Sequence, residues 1–300
     1  MLAILIDMFG AITFPTWIKD EAFALGPLSV KWYGISYILG IYGAYFYAAS
    51  VAKRRDIWIA GGATRKPEIV PNKVMLQDLM FYCLIGIIAG GRIGYILFYS
   101  TSTIWTAPLD IFKVWDGGMS FHGGFLGVCA AIFYTRWKKK LGLWRIADSA
   151  AIGAPLGILS VRFLGNFINQ ELYGRETDVP WAFRFYDKQY EFYLEPRHPS
   201  QLYEAFLEGI VIFLVLRILC IKFKALTKPG ICAGAFILMY GAFRFFVEFF
   251  REPDAAMFGP LTRGMTYSLP MVFVGLAIVI WAMRRSPVSP KRIDDAPASK

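Results

Sequence analysis

The sequence is poor in the charged residues that normally cover the surface of a soluble protein. Charged residues make up 18% of its 300 residues and apolar residues 56%. A soluble domain has about 25% charged residues, so this chain has too little polar material to cover a globule of its size. The composition therefore argues against a disordered chain, a secreted disulfide scaffold and a cytosolic α/β enzyme, and it indicates a polytopic membrane protein.

Histidine and cysteine are also scarce. The sequence has two histidines, His122 and His198, and four cysteines that lie within or beside long apolar runs without paired spacing. Zinc sites and disulfide frameworks need several such residues at characteristic spacings. We therefore predict no metal site, no disulfide and no cofactor.

Long apolar runs, in contrast, are abundant. Crossing a bilayer takes about 20 apolar residues. Seven stretches approach this length, near Trp32–Ala49, Leu79–Tyr99, Ser120–Thr135, Ser149–Gly165, Leu202–Ile221, Ile231–Phe250 and Ser268–Met283. The sequence thus predicts an all-α polytopic membrane protein with about seven transmembrane helices.

The positive charges agree with this topology. Lys and Arg number 32 against 22 Asp and Glu, which gives a net charge of +10. Basic clusters fall after spans one, three, five and seven, so they all lie on one side if the N-terminus is outside. The positive-inside rule makes that side, and with it the C-terminus, cytoplasmic. The topology accounts for the excess charge, and we predict no nucleic-acid partner.

The predicted organisation is one transmembrane domain over residues 1–285. Between spans four and five, residues 166–200 are rich in acidic and aromatic side chains, which indicates a small extracytoplasmic head. Residues 286–300 combine Ser, Pro, Ala and charged residues. This composition is typical of a disordered tail, which the topology places in the cytoplasm.

Several ionisable side chains lie inside the predicted spans. Such a residue costs at least roughly 2.5–3.5 kcal/mol on insertion scales and is therefore a functional candidate. The candidates are Arg92, His122, Arg162, Arg244 and Glu248. Because spans two, four and six run outward and span three runs inward, all of them fall in one layer near the outer surface. This layer predicts a site that is open to the extracytoplasmic side.

Helical spacing places further polar groups in the layer. Arg244, Glu248 and Arg251 lie at positions i, i+4 and i+7 of one helix face, which also carries Tyr240. Several arginines with few acids favour an anion, and planar guanidinium groups suit phosphate. An anion at this depth is most naturally a phospholipid headgroup.

A second arginine has polar neighbours of its own. Arg162 and Asn166 are one helical turn apart, and Asn169 follows one turn later. A structural alternative stays open for the arginines, because they could join helices through buried ion pairs, as Arg92 would with Asp116.

Six long segments carry a resemblance to a known family, and they run in family order along the chain. They are Trp32–Gly34, Gly90–Tyr95, Trp115–Gly124, Gly165–Gly174, Arg197–Glu204 and Tyr240–Asp254. On these segments the chain resembles the bacterial prolipoprotein diacylglyceryl transferases.

The resemblance implies a reaction and a location. The diacylglyceryl group of phosphatidylglycerol would pass to the lipobox cysteine thiol of a prolipoprotein, forming a thioether and releasing glycerol phosphate, as the first step of lipoprotein maturation. The catalytic domain would lie in the bacterial cytoplasmic (inner) membrane with its active site facing the extracytoplasmic side. Its partners would be phosphatidylglycerol, lipobox segments and membrane lipids. Because the nucleophile belongs to the substrate, the cysteines of the enzyme need not react.

The resemblance also implies roles for individual residues. Arg162 and Arg244 would hold the lipid phosphate, and His122 would be the base, with a hydrogen bond between helices as its alternative role. Tyr33 and Glu171 complete the catalytic set. The residues that would bind phosphatidylglycerol beside the two arginines are Asn166, Asn169, Gly174, Tyr240, Arg92, Glu248 and Arg251.

The sequence departs from the family at one of these segments. The family signature reads Gly-Arg, one residue, Gly or Ala, then Asn-Phe. Here Val161 replaces the glycine, and Phe163-Leu164 stands where one residue is expected. Aligned without a gap, Phe163 would take the arginine position. A π-bulge would absorb the extra residue and keep Arg162 next to Asn166.

Two other classes of function fit parts of the sequence. A phospholipid or anion transporter could use the same arginine layer, but the inner halves of the spans contain almost no polar residues for a path to the cytoplasm. A lipid-binding or assembly protein would not need His122, Tyr33 and Arg162 at one depth. The transferase is therefore the leading hypothesis.

Overall fold

The fold is mostly helical. The computed structural model describes residues 11–25, 28–60, 65–113, 118–253 and 259–290. Its helices are α1 (Trp32–Ala52), α2 (Lys73–Tyr99), α3 (Thr103–Thr106), α4 (Phe121–Lys139), α5 (Leu143–Ser160), α6 (Ser200–Glu204), α7 (Ile212–Ile221), α8 (Ile231–Val247) and α9 (Arg263–Met283). Two π-helical segments continue them: π1 (Val161–Phe167) extends α5, and π2 (Ala205–Val211) joins α6 to α7.

Short strands accompany the helices. Within the described residues they are β1 (Ile12–Thr13), β2 (Glu21–Leu25), β3 (Leu28–Lys31), β4 (Arg65–Glu68), β5 (Phe183–Arg184), β6 (Tyr186–Asp187), β7 (Phe192–Tyr193) and β8 (Val288–Pro290). They form two-stranded pairs: β1–β5 and β4–β8 are parallel, and β2–β3 and β6–β7 are antiparallel. The all-α prediction does not include these strands, because runs of two to five residues are too short for an alternating pattern to be recognised.

The helices support a multi-pass membrane protein. Among the described residues, four helical segments are long and apolar enough to cross a membrane: Trp32–Ala52, Lys73–Tyr99, Leu143–Phe167 and Arg263–Met283. Ile231–Val247 is apolar but shorter. The other two predicted spans are also helical, in α4 and in the continuous run from α6 through π2 to α7. These two stretches are more polar than the four, because α4 ends in basic residues and the α6–α7 run contains Glu204, Glu208 and Arg217.

The chain divides into two compact units. The first comprises Met1–Ala44, Ala151–Phe223 and Ile231–Arg284, and the second comprises Tyr45–Ala150, Lys224–Gly230 and Arg285–Lys300. The single domain predicted over residues 1–285 is not tested by this division and stays a prediction.

The first unit contains the predicted head and most of the candidate residues, whereas Arg92 and His122 belong to the second unit. In the head, Phe14, Phe167 and Phe185 form a buried cluster, and β1 pairs with β5 next to it. Helices α8 and α9 pack so closely that a Cβ at Gly275 would overlap the backbone of Leu238. This packing fixes α8, which contributes several side chains to the site below.

In the second unit, α2 and α4 pack backbone to backbone through Gly86 and Gly127, where a Cβ on either residue would overlap the other. The fully buried Arg145 donates hydrogen bonds to the carbonyl oxygens of Trp58 (3.1 Å) and Leu226 (2.7 Å). It thereby joins the start of α5 to two connecting segments of this unit.

The predicted tail begins with residues that have backbone partners, since Val288–Pro290 pairs with Arg65–Glu68. Disorder of the tail stays a prediction. Residues 291–300 lie outside the described part of the chain.

Candidate functional site

The centre of the site is a cluster of three arginines and three glutamates in the first unit, which we call the Arg–Glu network. Its members are Arg162, Glu204, Glu208, Arg244, Glu248 and Arg251. They come from π1, from the α6–π2 run and from α8 and the turn that follows it. Residues that are distant in sequence thus meet in one buried place.

Arg162 lies in π1, as the extra residue in this segment predicts. The wider turn keeps Arg162 beside Asn166, and its Nη1 donates a hydrogen bond to Asn166 Oδ1 at 3.2 Å. Its Nε lies 3.2 Å from Glu204 Oε2. The prediction of a π-bulge is therefore confirmed, and the altered spacing does not separate the two side chains.

The predicted charge stripe on α8 is also present. Arg244 pairs with Glu248 one turn later (2.5 Å), and Arg251 Nε lies 3.9 Å from Glu248 Oε1. The other oxygen of Glu248 accepts a hydrogen bond from Thr262, the residue that caps α9. Glu248 therefore orients Arg244, as its i+4 position predicts.

Glu204 connects the three arginines of the network, although no sequence pattern used above predicts it. Its Oε1 accepts hydrogen bonds from Arg244 (3.0 Å) and Arg251 (3.2 Å), and its Oε2 faces Arg162. Glu208, four residues later, was missed as well. The signal was available: two acids at i and i+4 near the start of the apolar run Leu202–Ile221 meet the same criterion as the arginines, namely charge inside a span.

Side-chain exposure separates the arginines into two kinds. The side chains of Arg162 and Arg244 are 16% exposed, whereas that of Arg251 is 4% exposed. Arg162 and Arg244 are therefore partly exposed, and each of them forms an ion pair with Glu204. Arg251 is enclosed and pairs with Glu204 and Glu248.

A second polar group adjoins Arg162. Asn166 Nδ2 donates hydrogen bonds to Tyr33 Oη (2.9 Å) and to Glu171 Oε2 (3.5 Å). Burial raises the pKa of the Glu171 carboxyl above its ordinary value, and the hydrogen bond from Asn166 acts in the opposite direction. The structure thus brings together four of the predicted residues: Tyr33, Arg162, Asn166 and Glu171.

With this geometry in place, comparison with known proteins identifies the family. The family model for prolipoprotein diacylglyceryl transferase matches residues 20–281. The chain belongs to the prolipoprotein diacylglyceryl transferase family. It is 46% identical over 281 residues to a protein of Brucella anthropi named phosphatidylglycerol–prolipoprotein diacylglyceryl transferase, covering 92% of this chain and 94% of that protein. Proteins of the same name from Brucella canis and Brucella ovis are 45% identical over the same length.

Other residues predicted from the transferase family have different surroundings. The backbone N–H of Gly174 donates to the carbonyl of His198 (2.8 Å), and Gly174 forms a β-bridge with Arg251. A Cβ here would lie 2.6 Å from His198 Cβ, so the position needs glycine for close backbone packing. Asn169 Oδ1 is buried without a hydrogen bond from the described residues. Tyr240 lies on α8, where it stacks on Phe236 and lies close to Arg162 and Arg244 of the Arg–Glu network.

Arg92 lies in the second unit, where it contacts backbone. Its guanidinium donates hydrogen bonds to the carbonyl oxygens of Asp110 (2.5 Å), Ile111 (3.0 Å) and Gly118 (3.3 Å). It also lines a cavity of about 230 Å³ with Tyr95. These contacts hold the segment that follows α3, and lipid binding by Arg92 stays a prediction. Its predicted alternative partner Asp116, and the side chain of His122, lie outside the described part of the structure.

Proposed function

We propose that this chain is a phosphatidylglycerol–prolipoprotein diacylglyceryl transferase, which attaches the diacylglyceryl group to the lipobox cysteine of prolipoproteins. The observation that carries the proposal is the pair of partly exposed arginines, Arg162 and Arg244, which a buried carboxylate holds in place. The function named for the relatives requires an enzyme that recognises one lipid phosphate. Two guanidinium groups can bind such a phosphate.

The phosphate would lie between the exposed edges of Arg162 and Arg244. Attack of the cysteine sulfur on the glycerol carbon forms the C–S bond and breaks the C–O bond, and the electron pair passes to the phosphate oxygen. Guanidinium groups fixed beforehand stabilise this developing charge most strongly where water is excluded. Glu204 fixes them, because it contacts both arginines.

Asn166 and its hydrogen-bond partners would line the pocket beside the phosphate. Asn166 contacts Arg162, Tyr33 and Glu171. One hydrogen-bond network would therefore hold both the phosphate-binding arginine and the residues near the glycerol moiety. His122 remains the proposed base for the thiol, because only the thiolate is nucleophilic.

The membrane arrangement belongs to the same proposal. The chain would cross the cytoplasmic (inner) membrane seven times with its N-terminus outside and its C-terminus in the cytoplasm. The pocket would open toward the extracytoplasmic leaflet, where it would receive phosphatidylglycerol and lipobox segments. Helices over all seven apolar stretches and the basic clusters on one side support this topology.

A transfer assay in detergent tests the function. Purified protein is mixed with phosphatidylglycerol and a lipobox peptide, and peptide lipidation and glycerol phosphate release are measured. Loss of one charge-stabilising donor costs about 10²–10³ in kcat, so Arg162→Ala and Arg244→Ala should each lose at least this much. Arg54→Ala removes an arginine whose ion pair with Asp56 is exposed and should leave the rate unchanged. Folded wild-type protein that lipidates no peptide would refute the proposal.

A further inference from the structure

The turn that carries Glu171 has an unusual backbone. Glu171 follows π1, and its two neighbours, Gln170 and Leu172, have positive φ angles of 59° and 57°. In this left-handed region the Cβ of an L-residue crowds the following carbonyl oxygen. Glycine, asparagine and aspartate are the usual residues there, and a leucine is an outlier. We call residues 170–172 the Glu171 turn.

Hydrogen bonds from two neighbouring segments hold the Glu171 turn in this conformation. The backbone N–H of Glu171 donates to the carbonyl oxygen of Asn166 in π1 (2.9 Å). From the start of α6, the hydroxyl of Ser200 donates to the carbonyl oxygen of Leu172 (2.8 Å), and Nε2 of Gln201 donates to that of Glu171 (2.5 Å). Strained backbone persists only where its surroundings impose it, and it is concentrated at functional sites.

Gln201 is a costly residue at its position. It is fully buried, and its Oε1 accepts no hydrogen bond from the described residues. A buried polar atom without a partner lowers the stability of the folded state, and an apolar side chain of similar size would avoid that loss. The contact that accounts for an amide here is therefore the hydrogen bond that its Nε2 donates to Glu171.

Helix α6 contacts both parts of the site through different side chains. Glu204, three residues after Gln201 on the same helix, forms ion pairs with Arg162 and Arg244. Gln201 contacts the backbone of Glu171 instead. A change at Gln201 can therefore disturb the Glu171 turn while Glu204 still holds the arginines.

We propose that Gln201 is a positioning residue of the transfer reaction, which holds the Glu171 turn in its left-handed conformation and thereby keeps the Glu171 carboxyl beside Asn166. This inference rests on the proposed transferase function. The hydrogen bond from Asn166 Nδ2 to Glu171 Oε2 is long (3.5 Å) and is too weak to orient the carboxyl by itself. If Leu172 left the left-handed region, the chain direction at Glu171 would change and the carboxyl would move away from Asn166.

The transfer assay with a substitution at Gln201 tests this role. Gln201→Met keeps the length of the side chain but removes the donor. A misplacement of about 1 Å can cost about 10² in rate, so kcat should fall by about this factor. The KM for phosphatidylglycerol should stay near that of wild type, because Glu204 still holds the arginines. Gln189→Met replaces an exposed glutamine of the head and should leave both constants unchanged.

Substitutions at Leu172 separate positioning from packing. Glycine enters the left-handed region without the steric cost of leucine, a relief that corresponds to about a tenfold change in the population of the turn. Leu172→Gly should therefore keep the kcat of wild type, and its addition to Gln201→Met should recover about tenfold in kcat. If Gln201 served packing alone, glycine at this position would restore nothing.

A second variant leaves Gln201 in place and does not depend on the folding of Gln201→Met. A β-branched side chain fits the left-handed region less well than leucine, so Leu172→Val should lower kcat whereas Leu172→Gly should not.

Four results would overturn the inference. They are an unchanged kcat in Gln201→Met, a loss that Leu172→Gly does not reduce, a KM that rises together with the loss of kcat, and equal kcat in Leu172→Gly and Leu172→Val. If wild type lipidates the peptide in these experiments, only the role of Gln201 fails. Folded wild type that lipidates no peptide would refute the proposed function and, with it, the role of Gln201.

Discussion

Replacement of Glu204 by glutamine tests whether a single carboxylate holds the network together. Glu204 is fully buried and lies 3.0–3.2 Å from nitrogens of Arg162, Arg244 and Arg251. Removing one partner of a buried ion pair costs about 3–5 kcal/mol, because the remaining charge is left uncompensated. Glu204→Gln should therefore lower the free energy of unfolding by about this amount.

The control is an ion pair of similar length at the surface. Glu252 lies 3.1 Å from Arg197, but its side chain is 53% exposed, and exposed pairs contribute about 0.2–1 kcal/mol. Titration with sodium dodecyl sulfate in mixed micelles, followed by tryptophan fluorescence, gives both free energies of unfolding. Equal effects of Glu204→Gln and Glu252→Gln would refute the argument that burial makes Glu204 the central residue.

The same variant has a kinetic prediction. Without Glu204 the network carries a net positive charge, so the KM for phosphatidylglycerol should fall. Arg162 and Arg244 also lose the group that positions them, and a misplacement of about 1 Å can cost about 10² in rate, so kcat should fall together with KM. An increased KM at unchanged kcat in the transfer assay would contradict this reasoning.

Three further changes probe the surroundings of the network. Deletion of Leu164 removes the extra residue of π1. Transfer activity should stay near that of wild type, because Arg162 and Asn166 remain on neighbouring helix positions. Loss of activity would contradict this reasoning. Gly174→Ala places a Cβ 2.6 Å from His198 Cβ. This overlap should lower the free energy of unfolding by about 1–3 kcal/mol. An unchanged free energy of unfolding would contradict this and show that the backbone relaxes. Because the pKa of Glu171 is raised, the folded state binds the proton of this carboxyl more tightly than the unfolded state does. Wild type should therefore lose stability relative to Glu171→Gln as pH rises above about 4.5. Parallel pH profiles of the free energy of unfolding would refute this.

The sequence predicted the helices and the contacts within them well. Apolar runs of sufficient length are direct evidence for helices in a membrane, and all of the predicted spans are helical in the structure. The pairing of Arg244 with Glu248 follows from their separation of one turn, and the π-bulge follows from one extra residue before Asn166. In each case the information is local, because neighbouring turns of one helix determine the contact.

The contacts between helices could not be predicted in this way. Glu204 meets Arg244 across 40 residues and Arg251 across 47 residues, and no periodicity within one helix reports such a pairing. Arg92 is a related case. Its partners are backbone carbonyl oxygens, which every residue possesses, so no side-chain pattern could indicate them. The strand pairs β1–β5 and β4–β8 likewise join segments that are distant along the chain.

The glutamates also limit how tightly the arginines hold an anion. Three uncompensated arginines would bind the departing glycerol phosphate, which can carry two negative charges, more tightly than the phosphodiester substrate. Product would then accumulate in the site. Glu204 and Glu248 each accept contacts from arginines, so part of the attraction is already satisfied within the protein. In the proposed mechanism, the network would thus position Arg162 and Arg244 for the transition state while it weakens the ground-state binding that would slow turnover.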